Sequence, residues 1–405
     1  MSEKTPKNIF FIDQTSEFDH HMVFNASMLK ILCQIFPDAN IYHCGLPSNI
    51  KSVRTLLSPE EQDRIIPEFI PHKKVSGGIL KKGLNYLRKE KYRYNHFKKV
   101  LNRTTENDWI VLSITTFTSF LWFKRLKRNY QTPTIAVLHG EVSFIYKSYN
   151  FLEKVDAWVH KKIFKTKAPN FYYLTLNKIE KAILVKDGYL KESEIFEINH
   201  PYLNLEESFP ENPLSLPIRI GHIGSLVAHT KNSHMLFELA EKCKHLVEQD
   251  KIIFDAVGLL TPEMKPYLND WVQLYVGNKD LSKPQYLSRE DYETALSNLN
   301  YAIFFYPPEE YVFRASGAIA DFISKETPII YLKHPIFDYF QENVGEIGYQ
   351  CNNLDEIKIV IENLAKKTDD AKEKYRLHKN NVRKLKQQLK LENIAEDLKN
   401  QIESI

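Results

Sequence analysis

Residues 300–332 read NYAIFFYPPEEYVFRASGAIADFISKETPIIYL and point more directly to a fold than any other part of the chain. The β-branched and aromatic run from Tyr301 to Tyr306 predicts a buried strand, and a Pro-rich loop with two carboxylates follows it. Ser316-Gly317 then opens a helix, and Pro328 leads into a second strand. An α/β domain uses this order of strand, loop and helix N-terminus to present backbone N–H groups to a phosphate. The stretch therefore predicts a phosphate-binding loop in a parallel α/β domain.

Outward from this stretch, short apolar runs alternate with segments of helical periodicity, which predicts βαβ units and parallel sheets. In the first half the predicted strands are Asn8–Ile12, Ala39–His43, Trp109–Ser113, Thr134–Leu138, Phe171–Thr175 and Glu194–Ile198. In the second half they are Ile218–Gly221, Ile252–Val257, Val272–Val276, Tyr301–Tyr306, Pro328–Leu332 and Ile347–Gln350. The expected fold class is therefore α/β, with two doubly wound parallel-sheet domains.

The 405 residues are enough for two cores, because a single core rarely grows beyond about 250 to 300 residues. Pro210, Pro213 and Pro217 lie among acidic and polar residues without helical or strand periodicity, which predicts an interdomain linker. The expected parts are an N-terminal domain at 1–203, the linker at 204–217, a C-terminal domain at 218–368 and C-terminal helices at 369–405.

Charge is distributed unevenly between the halves of the chain. The formal net charge is +4, but residues 1–205 contain 31 Lys and Arg against 20 Asp and Glu, whereas residues 206–405 contain 24 against 31. We therefore expect the first half to meet an anionic partner. The four cysteines have no metal-binding spacing, which predicts reduced thiols: Cys33, Cys44, Cys243 and Cys351.

We expect neither a signal peptide nor a membrane-spanning segment. The start, MSEKTPKNIFFID, runs from polar residues straight into a short apolar strand. The most apolar later run, Ile110–Phe123, is too short and too rich in Ser and Thr to cross a bilayer. We expect a cytoplasmic protein, and peripheral attachment to the inner face of the plasma membrane remains open.

Three segments of the second half resemble the nucleotide-sugar-binding domain of GT-B-fold glycosyltransferases, the group that includes glycosyltransferase family 4. IRIGHIGSLVAHTKN, residues 218–232, is similar to that group's first strand, glycine turn and following lysine. IIFDAVG (252–258) resembles its second strand, and AIADFISKETPIIYL (318–332) resembles its acidic helix and Pro-containing strand. The resemblance implies two Rossmann-like domains facing a cleft. Phe313 stands where the group carries the first of two glutamates, which leaves the inverting or retaining course open.

The resemblance also implies a donor site in the second domain. Lys231 and Arg314 would stabilise negative charge on a leaving diphosphate, where preorganised cations contribute several kcal/mol. The start of the helix at Ser316 would add backbone N–H groups, and Asp321 would accept hydrogen bonds from ribose hydroxyls. No metal and no cofactor is expected. The expected donor-binding residues are Gly224, Lys231, Glu310, Arg314, Ser316, Gly317 and Asp321, with Glu309 as the alternative to Glu310.

The candidates for catalysis lie in the first domain. AVLHGEVS, residues 136–143, places His139 and Glu141 at the carboxyl end of a strand, where ligands bind in open α/β sheets. His139 resembles a histidine that contacts the donor sugar in many GT-B enzymes, and Glu141 is a candidate base for the acceptor hydroxyl. Asp13, at the end of the first strand, is a rival base. The nearby His20-His21 pair fits the N-terminus of a helix better than a site.

A basic stretch in the first domain, Leu80–Arg103, has nine Lys or Arg against one Glu, interleaved with Leu, Tyr and Phe. Most charge runs are solvated helix faces. Together with FKRLKRN (123–129) and HKKIFKTK (160–167), however, this stretch favours a surface for anionic lipid head groups or a lipid-diphosphate acceptor. No nucleic-acid motif accompanies the stretch, so nucleic acid is not an expected partner.

The function expected from these features is glycosyl transfer from a nucleotide-diphosphate sugar to a glycan or lipid-linked glycan, in bacterial surface polysaccharide biosynthesis. Two alternatives stay open at this point. A nucleotide-sugar 2-epimerase has a similar C-terminal domain and would convert the donor alone. A non-catalytic GT-B glycan-binding protein would fit the missing glutamate at Phe313.

Overall fold

The computed structural model describes residues 6–71, 79–148, 150–203, 205, 212–278 and 285–405, except the side chains of residues 79–82 and 141. Contacts divide the chain into two compact units. The first comprises Met1–Leu203 and Leu389–Ile405, and the second comprises Asn204–Gln388. Each unit contains one parallel β-sheet with helices around it.

The strands, in chain order, are β1 (Asn8–Asp13), β2 (Asn40–Gly45), β3 (Ile65–Phe69), β4 (Trp109–Ile114), β5 (Thr134–Val137), β6 (Phe171–Thr175), β7 (Ile195–Glu197), β8 (Ile218–Leu226), β9 (Ile252–Leu260), β10 (Val272–Val276), β11 (Tyr301–Phe304), β12 (Ile329–Leu332) and β13 (Gly348–Cys351). The helices are α1 (Met22–Ile35), α2 (Pro47–Arg54), α3 (Pro59–Arg64), α4 (Ile79–Arg103), α5 (Phe117–Leu126), α6 (Phe151–Lys165), α7 (Lys178–Lys186), α8 (His234–Lys242), α9 (Lys244–Glu248), α10 (Arg289–Ser297), α11 (Gly317–Ser324), α12 (Pro335–Val344), α13 (Leu354–Ala365), α14 (Asp369–Gln388) and α15 (Leu391–Glu403).

Both sheets have the order of a doubly wound fold. The first is β3-β2-β1-β4-β5-β6-β7 and the second is β10-β9-β8-β11-β12-β13, with parallel pairing throughout. In each sheet the first strand of the unit lies centrally, and the order reverses between it and its neighbour β4 or β11. This reversal creates a crevice at the carboxyl ends of the strands, where open α/β sheets bind ligands.

Helices cover both sheets through apolar faces. In the first unit, β1 places Ile9 and Phe11 in a core that α1 covers with Leu29 and Leu32. The last helix, α15, adds Leu398 to the same core, together with Ile394 and Ala395. The core of the second unit is built on β8, β9 and β11, with helices α8 and α13 packed against it.

The glycine turn predicted after β8 begins needs correction. The predicted turn after Gly221 does not exist, because β8 continues through Gly224 to Leu226. Gly224 pairs with Gly258 of β9, and both have positive φ, +91° and +136°. A Cβ on Gly258 would lie 2.1 Å from the carbonyl oxygen of Gly224. The glycines therefore allow close approach of two strands rather than a turn.

Some elements were missed and others differ in their bounds. The strand β3 was missed because Pro67 interrupts its apolar run, as an edge strand tolerates. The expected segment of C-terminal helices, 369–405, is divided in the structure: α14 lies in the second unit and α15 in the first. Of the predicted linker, residues 204 and 206–211 lie outside the described residues.

All four cysteines are buried and free. Among the residues that the structure describes, no helix combines the length and the apolar character needed to cross a bilayer.

Candidate functional site

The carboxyl edge of the second sheet gathers most of the residues predicted to bind a donor. Strands β8 and β11 are neighbours there, and the loop after β8 carries Lys231. The loop after β11 carries Arg314 and ends at Ser316, the N-cap residue of α11. Because parallel strands end at the same edge, these two loops meet above the sheet.

Lys231 is a buried cation at this edge. Only 7% of the residue is exposed, and a Cβ on Gly224 would lie 3.0 Å from its Nζ atom. The ammonium lies 5.9 Å from the ring centre of Tyr306 and 6.0 Å from that of Tyr311. Burial lowers its pKa to about 8, and the attraction of Asp321 opposes this shift. Within the described residues Lys231 makes no ion pair, so its charge is available to an anion.

Hydrogen bonds hold the Lys231 loop against the sheet. Asn232, at φ +51°, donates from Nδ2 to the carbonyl oxygen of Phe305 at 3.0 Å. His222 is fully buried, and burial lowers its pKa to about 4, so the ring is neutral. Its Nδ1–H donates to the carbonyl oxygen of Ile303 at 2.8 Å, which leaves Nε2 to accept from the Ser233 hydroxyl at 2.8 Å. The position of Lys231 is therefore preorganised.

The second loop is held by aromatic stacking and by a histidine. The rings of Tyr306 and Tyr311 stack at 4.2 Å, and the Tyr306 hydroxyl lies 2.8 Å from Ser316 Oγ. His334 donates from Nε2 to the carbonyl oxygen of Glu310 at 2.8 Å. Burial raises the pKa of Tyr311 to about 12, and the positive charge of Arg314 opposes the rise. Arg314 itself is exposed.

The N-terminus of α11 is open to solvent. Gly317, its first residue, is exposed, and a Cβ added there would meet nothing within 4 Å. Asp321, one turn further along, accepts a hydrogen bond from the Tyr292 hydroxyl at 2.6 Å. Burial raises the pKa of Asp321, while Tyr292 and Lys231 oppose the rise. The edge thus combines a buried cation, an exposed helix start and a carboxylate, which suits a phosphate joined to a hydroxylated group.

The structure also shows residues that the sequence did not single out. Tyr292 holds Asp321, the Tyr306–Tyr311 pair flanks Lys231, and His222 fixes the Lys231 loop. The residues that contact each other here are far apart in the sequence. His222, for example, bonds to Ser233, 11 positions away, and to Ile303, 81 positions away. No local pattern marks such pairs. The cluster of aromatic residues around 301–311 was the one available signal.

In the first unit, Asp13 is tied to its own loop. It is 1% exposed, and its Oδ1 accepts from the backbone N–H groups of Thr15 at 3.0 Å and Ser16 at 2.9 Å. Its Oδ2 accepts from Asn25 Nδ2 at 2.7 Å. These bonds give the carboxylate a clear structural role in shaping the turn after β1, in addition to its predicted role as a base.

His139 lies at the carboxyl end of β5, where the sequence placed it. Its Nε2 donates to the carbonyl oxygen of Ser113 at 2.9 Å, and its ring packs 5.2 Å from those of His21 and Phe24. His21 is the N-cap residue of α1, as expected. The side chain of Glu141 lies outside the described part of the structure, so its predicted role remains a prediction.

A pocket of about 560 Å³ opens beside His139. It lies at the carboxyl ends of β4 and β5 and is enclosed by helices α4, α5 and α6. We refer to it as the β4–β5 pocket. It combines hydroxyl, imidazole and aromatic side chains, which suits a polar, ring-shaped ligand. Its lining includes His20, Tyr86, Thr115, Thr116, Phe117 and His139.

Within the described residues, one group has ligand atoms close enough to be considered for a metal: Cys44, Glu68 and His96. Gln14 donates from Nε2 to the carbonyl oxygen of Arg93 at 3.2 Å, so the same amide nitrogen faces His96 Nδ1 as a donor at 3.3 Å. His96 must then carry its proton on Nε2, the nitrogen that faces Glu68 at 3.9 Å. Burial also raises the pKa of the Cys44 thiol. The group does not fit a metal ion, which requires an unprotonated nitrogen and a thiolate.

No protein-family model and no curated protein matches the chain. Solved structures do match over nearly its full length. HepE from Anabaena, in complex with UDP or UDP-glucose, has a TM-score of 0.63 and 14% identity, covering 98% of this chain and 100% of that chain. Sucrose-phosphate synthase from Thermosynechococcus elongatus has a TM-score of 0.62 and 13% identity, with 98% of each chain covered. S. aureus TarM, in complex with fondaparinux, alpha-GlcNAc-glycerol and UDP, has a TM-score of 0.61 and 11% identity, covering 98% of this chain and 99% of that chain. The chain has the GT-B fold of two Rossmann-like parallel-sheet domains.

Proposed function

We propose that the chain is a glycosyltransferase that transfers a sugar from a nucleotide-diphosphate sugar to a glycan or lipid-linked glycan acceptor. The buried Lys231 ammonium carries the proposal, because it faces the open N-terminus of α11 and makes no ion pair within the described residues. A diphosphate suits a buried cation beside the N-terminus of a helix. The UDP and UDP-glucose bound to HepE, a protein of the same fold, support this choice of ligand.

In the proposed reaction, an acceptor hydroxyl oxygen attacks the anomeric carbon of the donor and the bond from that carbon to the diphosphate breaks. The electron pair remains on the diphosphate oxygen, where Lys231 and Arg314 stabilise it. Asp321 accepts from the ribose hydroxyls, and Glu310 faces the hydroxyls of the donor sugar. The acceptor proton passes to Glu141 or Asp13, and His139 contacts the donor sugar. The reaction as proposed needs no resident metal.

The acceptor is proposed to lie in the first domain, in the β4–β5 pocket, and the donor in the second. The basic side chains of α4 and α6 suit an anionic membrane surface, such as the inner face of the plasma membrane. A role in bacterial surface polysaccharide biosynthesis fits such a location. In this proposal the protein is cytoplasmic and attaches to the membrane peripherally.

The proposal is tested with a panel of nucleotide-diphosphate sugars, by thermal shift first and then by product analysis. We expect one or a few donors to raise the melting temperature, and sugar transfer to occur only when an acceptor is added. Conversion of the donor without acceptor would indicate an epimerase instead. If no nucleotide diphosphate binds, a non-catalytic glycan-binding protein becomes the better explanation.

The pKa of Lys231 predicts how donor binding depends on pH. In the protein without ligand, Lys231 is mostly charged below pH 8 and mostly neutral above it. Above pH 8, binding of an anion therefore requires Lys231 to take up a proton. The affinity for UDP should therefore fall about fivefold between pH 8 and pH 9, measured by calorimetry, because the charged fraction of Lys231 falls from about one half to about one tenth. In Lys231→Arg the guanidinium stays charged, so this decrease should disappear whatever the affinity at pH 7. An equal decrease in both proteins would show that another group titrates.

A further inference from the structure

A second cavity lies in the same helical layer of the first unit as the β4–β5 pocket. It is a groove of about 570 Å³ between α4 and α5, which we call the α4–α5 groove. This volume lies within the range of small-molecule sites. The groove is lined by Leu87, Tyr94, Trp122 and Leu126, with Lys91 and Arg125 beside them.

The groove has an exposed apolar wall. Leu87 is 60% exposed, although it lies beside the rings of Tyr94 and Trp122, which meet edge to face at 6.2 Å. Isolated exposed leucines are common, but an apolar groove with an aromatic wall is typical of a binding site. Lys91 and Arg125 are exposed and form no ion pair among the described residues. The groove therefore suits a molecule with a hydrocarbon part and a negative charge.

The groove and the β4–β5 pocket follow one another along the same two helices. On α4, Tyr86 lines the pocket and Leu87 lines the groove. On α5, residues 117, 118 and 120 line the pocket, whereas Trp122 and Leu126 line the groove. The Tyr86 hydroxyl lies 3.0 Å from Thr118 Oγ1, a hydrogen bond that joins the helices near this boundary. The two cavities are therefore neighbours along these helices.

We propose that the α4–α5 groove binds the hydrocarbon chain of a lipid-phosphate-linked acceptor, whose saccharide occupies the β4–β5 pocket. Lys91 and Arg125 pair with the phosphate that joins the two parts, because they are the charged residues that line the groove. This inference rests on the proposed function and narrows its acceptor to the lipid-linked class.

The test uses n-octyl phosphate, n-decyl phosphate and inorganic phosphate as probes, with binding to the full-length protein measured by calorimetry below the micelle concentration. We expect n-decyl phosphate to bind about tenfold more tightly than n-octyl phosphate, because each added methylene is buried in the groove. Inorganic phosphate should bind at least 100-fold more weakly than n-decyl phosphate. Equal affinities for the two alkyl phosphates would overturn the proposal.

Two leucines of α4 provide a matched pair of variants. Leu87 and Leu84 are both 60% exposed, but only Leu87 lines the groove, so neither substitution should affect folding. Leu87→Ser should weaken binding of n-decyl phosphate at least fivefold, and Leu84→Ser less than twofold. Similar losses in both variants would mean that the alkyl chain adsorbs to the helix face, and the groove would be rejected.

Donor binding in the second unit, measured in the same preparations, separates the two proposals. If UDP binds but n-decyl phosphate does not, only the groove inference fails. If n-decyl phosphate binds as expected but no nucleotide diphosphate binds, the proposed transferase function fails while the groove remains a lipid-phosphate site.

Discussion

Lys231→Met should lower kcat/KM for the nucleotide-sugar donor by about 100-fold or more while leaving the protein folded. The loss is expected because a preorganised donor aimed at a developing negative charge is worth about 10²- to 10³-fold in rate. Lys231 is suited to that role by its burial, its position beside Gly224 and its lack of an ion pair within the described residues. Initial rates over a range of donor concentrations measure the effect.

Stability distinguishes this role from a structural one. Burial lowers the pKa of Lys231, so folding pays to desolvate the ammonium, and methionine removes that cost. The variant should therefore unfold at the same denaturant concentration as the wild type, or a higher one. Lys325→Met is the matched control. The Lys325 side chain is also only 7% exposed, but Lys325 lies at the C-terminal end of α11, where its Nζ atom is 3.6 Å from Glu293 of α10. A comparable loss of activity in Lys325→Met would contradict a specific role for Lys231.

Much of the fold was predictable because the core strands are dense in β-branched and aromatic residues. Phe171–Thr175 and Val272–Val276 have the bounds that the sequence predicted. The failures have specific causes. Pro67 lies inside an edge strand, and Gly224 lies inside a strand that approaches its neighbour closely. In both places a residue that usually ends a strand is tolerated because of the position of the strand in its sheet, which no local pattern contains.

The charged residues of the site were predictable from the sequence, but the residues that hold them in position were not. Lys231 and Asp321 were identified through resemblance, and the structure places both at the carboxyl edge of the second sheet. His222 fixes the Lys231 loop through its bonds to Ser233 and Ile303. In the sequence alone, nothing distinguishes it from the other residues of the strand. Its role requires knowing that β8 and β11 are neighbours. The sequence thus identifies chemistry-bearing residues more readily than the network that positions them.

A second large effect is expected away from the site, at the ion pair that joins β8 to β9. Arg219 donates from Nε and Nη2 to the two carboxylate oxygens of Asp255, at 2.9 and 2.8 Å, and Asp255 is 1% exposed. Arg219→Met leaves this carboxylate buried without its partner, which costs about 3 to 5 kcal/mol. We therefore expect the free energy of unfolding at pH 8, where the carboxyl is most ionised, to fall by up to about that amount, measured by guanidinium chloride denaturation monitored by fluorescence.

The pH dependence of this loss tests its cause. Burial raises the pKa of Asp255 to about 6 even beside Arg219, so without the guanidinium the carboxyl takes up a proton at a still higher pH. The folded state then binds more protons than the unfolded state, and stability rises as pH falls. The deficit of Arg219→Met should accordingly be largest near pH 8 and smaller at pH 5. Adding Asp255→Asn should recover part of the loss at pH 8, because the neutral amide needs no counter-charge. A deficit that is constant with pH would instead indicate lost packing of the arginine side chain against Tyr275.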